Sequence, residues 1–121
     1  MFRPSKILAY FFISILAGCA TPTSVVNSGV RARFESRMSP YDLARCIDRN
    51  IDDYAIAGSL TSKIINSNKN SIEVVVLNGG TGFAVVRIDT SSTGSLALFF
   101  YGGLANMFPD ENYKMMTTGC G

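Results

Sequence analysis

Between residues 60 and 101 the chain passes through four runs rich in β-branched and aromatic residues, each ended by small polar residues. Residues 60–65 are followed by Asn66-Ser67-Asn68-Lys69-Asn70, and residues 72–77 (IEVVVL) by Asn78-Gly79-Gly80-Thr81-Gly82. Residues 83–89 (FAVVRID) then give way to Thr90-Ser91-Ser92-Thr93-Gly94, and residues 95–101 (SLALFFY) close the series. Side chains alternate faces along a strand, and short links favour hairpins. The pattern predicts three or four adjacent antiparallel strands, with Ile72, Val74 and Val76 sharing a face. In the third run, either Phe83, Val85 and Arg87 or Ala84, Val86 and Ile88 form the matching set.

A helix is expected ahead of these strands. Ser39 is a good N-cap, Pro40 suits the first helical position, and Asp42 sits near the positive end of the helix dipole. Leu43, Ile47, Ile51 and Tyr54 recur at helical spacing and define one apolar stripe, with Cys46 on its flank. Arg45, Asp48, Arg49, Asp52 and Asp53 mark the outer face, with Arg49 and Asp53 spaced as an i,i+4 pair. The neighbouring arginines neutralise these aspartates, which favours a solvated face over a cation site. Gly58 is the expected stop. The fold class is thus α+β: one N-terminal helix on a three- to four-stranded antiparallel meander. Residues 102–121 are irregular, and Pro109 is expected to break any helix there.

The start of the chain has a different character. Arg3 and Lys6 precede a ten-residue run, ILAYFFISIL, at positions 7–16. That run is shorter than the roughly 20 apolar residues needed to span a bilayer core. Leu16-Ala17-Gly18-Cys19 follows, with small residues at the positions a peptidase must reach. This order resembles the export signal and lipobox of bacterial lipoproteins. The resemblance implies that residues 1–18 are removed and that Cys19 carries diacylglycerol and an N-acyl chain, an anchor of more than one chain and therefore stable. Ala20 in place of Asp leans towards the outer membrane, facing the periplasm. Residues 19–38 are then the lipidated cysteine and a tether, and residues 39–121 the small domain. Within the tether Val30, Ala32 and Phe34 alternate with Arg31, Arg33 and Glu35, which allows a short strand. Arg31, Arg33 and Arg37 are within reach of anionic head groups, although a solvated face is the plainer reading.

With Cys19 assigned to lipid, Cys46 and Cys120 remain. In an oxidising compartment such a pair reads as a disulfide. It would close a loop of about 75 residues, for which chain-entropy arguments give roughly 4 kcal/mol. A metal site or a reactive thiol is the alternative, but the chain has no histidine to complete a zinc set. The motif SPYDLARCI and the late cysteine are similar to those of small bacterial lipoproteins and imply no activity.

Composition narrows function further. Arg3 and Lys6 account for the net charge of +2, so the mature chain is formally neutral and nothing points to nucleic acid. Without histidine there is no Ser-His-Asp or Cys-His arrangement. The Gly-rich run at 78–82 leads into a strand and not a helix, so it reads as a hairpin loop, not a phosphate cradle. Phe99, Phe100 and Tyr101 read as core and sheet edge, with a peptide- or glycan-binding patch as the alternative. No catalytic, cofactor-binding or metal-ligating residue is assigned. The expected function is a non-catalytic, lipid-anchored envelope module that docks a partner protein. A small inhibitor or ligand-binding lipoprotein is the alternative.

Overall fold

The computed structural model describes residues 22–54, 60–68 and 71–121. In chain order they form α1 (Pro22–Asn27), β1 (Ala32–Ser36), α2 (Pro40–Tyr54), β2 (Leu60–Asn68), β3 (Ser71–Asn78), β4 (Thr81–Ser91) and β5 (Gly94–Tyr101). A 3₁₀ turn (Gly103–Met107) and α3 (Pro109–Thr117) complete the described chain. The strands make one antiparallel sheet in the order β1-β5-β4-β3-β2. The α+β class and the meander therefore stand, but the sheet has five strands, not three or four. The principal helix is not N-terminal either, because α1 and β1 precede it.

The links between strands are tighter than the polar clusters suggest. Asn78 pairs with Thr81, so β3 and β4 are joined by Gly79 and Gly80 alone, with φ of +58° and +87°. Positive φ at both central residues twists a two-residue hairpin in the same sense as its strands, and glycine adopts it without a Cβ penalty. A bulge follows at Phe83, where Val76 pairs with Ala84 but Leu77 with Gly82. The extra residue turns Phe83 into the main core alongside Ala84, Val86 and Ile88. Of the two facing sets, Ala84, Val86 and Ile88 join Ile72, Val74 and Val76.

α2 lies over that face. The Ser39 carbonyl accepts from the Leu43 amide, and its hydroxyl accepts from the Asp42 amide at 3.3 Å, which is the N-cap anticipated from sequence. Leu43, Ala44, Ile47 and Ile51 are fully buried against β2 to β5, the helix lying nearest the β2 edge. Burial of each large side chain contributes about 1.5–3 kcal/mol before entropy is set against it. Tyr54 ends the helix, and Gly58 lies outside the described residues. Arg49 and Asp53 form no ion pair. Among the described residues the one salt bridge is Arg87–Glu73, across β4 and β3, while Arg45 lies 5.9 Å from the Tyr41 ring centre.

Two helices arise where none was expected. α1 falls in the stretch read as tether and crosses the opposite face of the sheet, burying Val25 with Val85 and Phe100. Ser28 fixes its end by donating to the carbonyls of Val25 and Tyr101. The strand suggested around Val30–Phe34 is real and becomes β1, paired along β5. At the other terminus Pro109 starts α3 instead of breaking a helix. At the first helical position the missing N–H costs nothing and the fixed φ is already helical. α3 packs beside α2, burying Met115 and Met116, and Tyr113 stacks edge-on against Phe34 and Phe99.

Candidate functional site

Residues 1–21 lie outside the described residues, and with them the expected signal, Cys19 and Ala20. The described chain places the other two cysteines together. Cys46 on α2 and Cys120 beyond α3 are disulfide-bonded with their Cα atoms 5.9 Å apart, inside the limit of about 7 Å that the bond allows. The stripe of α2 presents Cys46 inward, and α3 carries the chain back to meet it.

Around this bond the termini are held by polar contacts that sequence periodicity could not show. The Ser36 hydroxyl donates to the Cys120 carbonyl and accepts from the Met38 amide. Ser95 donates to the Met38 carbonyl at 2.7 Å. Both serines are buried and both are satisfied, as buried hydroxyls should be. Asn50 on α2 donates to the carbonyls of Met116 and Thr118, taking up acceptors that the end of α3 leaves free.

Between α2 and α3 runs a groove of about 460 Å³, lined by Asn50, Asp53, Glu111, Lys114, Met115 and Thr118. Its charged residues stand on exposed helix faces. Among the described residues no group of three or more His, Cys, Asp or Glu is placed to hold a metal ion. Where the 3₁₀ turn meets α3, Met107 and Phe108 are 64% and 56% exposed. Two large apolar side chains adjacent in sequence and turned outward form a small apolar knob.

The aromatic run at the end of β5 is interior. Phe99 and Tyr101 point into the main core and Phe100 into the small one under α1, so the run offers no surface patch. Tyr101 is fully buried, and its hydroxyl has no hydrogen-bond partner among the described residues. Burial, reinforced by nearby Tyr113 and Asp110, holds its phenol well above the ordinary tyrosine range.

The face under α1 has its own pattern. Lys63 stands opposite Val75, which stands opposite Val85 and then Phe100 across the sheet. In the next row Ile65, Glu73, Arg87, Leu98 and Arg33 follow one another. Arg87 lies 5.5 Å from the Phe100 ring centre and donates to Glu73 at 2.7 Å. Cations thus stand on both margins of an apolar centre that α1 partly covers.

Compared with known proteins, the chain matches no family model, no curated protein and no solved structure.

Proposed function

We propose that this chain is a lipid-anchored envelope protein, held in the outer membrane and facing the periplasm, whose domain docks a partner protein without catalysing a reaction. The observation that supports it most is the pairing of Cys46 with Cys120. That bond accounts for both cysteines of the domain and leaves Cys19, the last residue of LAGC, as the remaining thiol. It also suits an oxidising compartment. Among the described residues no helix is long and apolar enough to cross a membrane, so attachment in this reading rests on the lipid.

Docking is supported by Met107 and Phe108, since adjacent exposed large apolar side chains are a common contact surface. The groove between α2 and α3 favours a second reading, a small-ligand binder, because Asp53, Glu111 and Lys114 offer both charges to one occupant. The experiment is intact-mass analysis of protein purified from its own membranes, with Cys19→Ala as control. The native chain should begin at Cys19 and carry acyl mass, and Cys19→Ala should carry none. An unmodified native chain would defeat the anchor. Phe108→Ser in the acylated protein should abolish cross-linking to a partner; retention of the cross-link would defeat docking through this knob.

A further inference from the structure

The folded part begins very close to Cys19, which limits how far the domain can stand from a lipid there. Cys19 and Pro22 are three residues apart, a span of at most about 11 Å even when fully extended. α1 starts at Pro22 and is not a free arm. Val25 is 1% exposed in the small core, and Ser28 ties the helix end to Tyr101 at 3.1 Å. A Cβ on Gly102 would lie 2.5 Å from a Val25 methyl, so the two backbones are closely fitted. A lipid on Cys19 would therefore hold the start of α1 within about 11 Å of the head-group layer.

That face carries two cations, unpaired among the described residues, in the rows nearest α1. Its cations, Arg33 beside Leu98 and Lys63 beside Val75, flank the rows that α1 covers. Both are exposed. Glu73 is taken up by Arg87. The other two carboxylates, Glu35 and Asp89, flank Leu96 in a row farther along the strands. The opposite layer is net acidic: α2 and α3 carry Asp42, Asp48, Asp52, Asp53, Asp110 and Glu111 against Arg45, Arg49 and Lys114. A head-group potential decays over about 8–10 Å in physiological salt. Over these groups the sheet face is formally neutral, with Arg33 and Lys63 in the rows nearest α1. The helical layer is net acidic, so an anionic surface repels it more strongly.

We infer that the α1 face of the sheet, through Lys63 and Arg33, is a contact surface for anionic phospholipid head groups. The knob and the groove on the helical side are turned outwards. This rests on the lipid-anchor reading, and the test separates the two. Full-length acylated protein is reconstituted in phosphatidylcholine vesicles with or without phosphatidylglycerol, and its acyl mass is checked first. Amine-reactive footprinting then compares Lys63 on the sheet face with Lys114 on the helical face.

Lys63 labelling should fall about threefold or more relative to Lys114 when phosphatidylglycerol is present, and should recover in high salt. Arg33→Glu should weaken the protection while leaving the disulfide and the fold, read by circular dichroism, unchanged. Acylated protein with equal labelling of Lys63 and Lys114 overturns the orientation and leaves the anchor standing. Absence of acyl mass overturns both. Protection in native envelopes but not in anionic vesicles overturns the lipid contact in favour of a protein on this face.

Discussion

Asn50 on α2 donates to the carbonyl of Thr118 at 2.8 Å, and to that of Met116 at 3.0 Å, so one side chain closes the end of α3. The amide is half-buried, and its partners lie 66 and 68 positions away. Asn50→Ala should destabilise the domain by about 1–2 kcal/mol, since the carbonyls left behind are only partly open to water. Asn50→Asp should cost more, because it sets a carboxylate against carbonyl oxygens. Urea unfolding of the three proteins ranks them, and equal midpoints would remove Asn50 from the account of how α3 is held.

The disulfide acts on the same segment by a different route. Cys46→Ser should lower stability by roughly 2–5 kcal/mol, mainly by freeing the unfolded chain. Unfolding with and without reductant should reproduce that loss in the native protein. Hydrogen exchange should show α3 losing protection first, because Cys120 follows it directly.

Gly94 and Gly79 both have positive φ but differ in surroundings. A Cβ at Gly94 would collide with the Ser36 carbonyl oxygen and lie 2.7 Å from the Arg37 backbone, while at Gly79 it would meet nothing within 4 Å. Gly79→Ala should therefore cost about 1–2 kcal/mol from backbone strain alone. Gly94→Ala adds a backbone collision to an unfavourable φ of +146°, and should cost more than Gly79→Ala. Comparing the two midpoints in urea isolates the close approach from the conformational effect.

Tyr101 predicts a response to alkali. Its folded-state phenol is held above the ordinary value by burial first and by Tyr113 and Asp110 next. The folded state therefore keeps the proton after the unfolded chain has released it. Stability should be constant in this respect below about pH 10 and fall as pH rises further. Tyr101→Phe should flatten that decline. It should also leave neutral-pH stability equal or slightly higher, because the hydroxyl it removes has no partner among the described residues. A clear loss of stability at pH 7 would show that the hydroxyl is bonded after all.

What the sequence disclosed was what repeats over short distances. The stripe Leu43, Ile47, Ile51 and the alternation in IEVVVL and FAVVRID identify α2, β3 and β4 directly, because each residue's face is set by its near neighbours. α1 stayed hidden since a six-residue helix burying one side chain has no period to detect. α3 stayed hidden because Pro109 is a breaker in a helix interior and a starter at its first position, and only the true boundary separates the two. Of the candidate site residues, Cys46 and Cys120 could be paired by elimination once Cys19 was set aside. Met107, Phe108 and Asn50 could not be singled out, because exposure and partners across the fold are decided by packing and not by spacing.

The pairing of β1 with β5 has a consequence for how such a chain travels. The first strand finds its partner only on the fifth, and Ser36 meets the Cys120 carbonyl across 84 positions. The helix and hairpins between can form early, but β5 keeps an unmatched edge until β1 is docked, and long-range closures of this kind are slow. On the proposed export route that delay is useful. A polypeptide threaded through a membrane pore must arrive extended, and this topology withholds its final lock until both halves reach the same side.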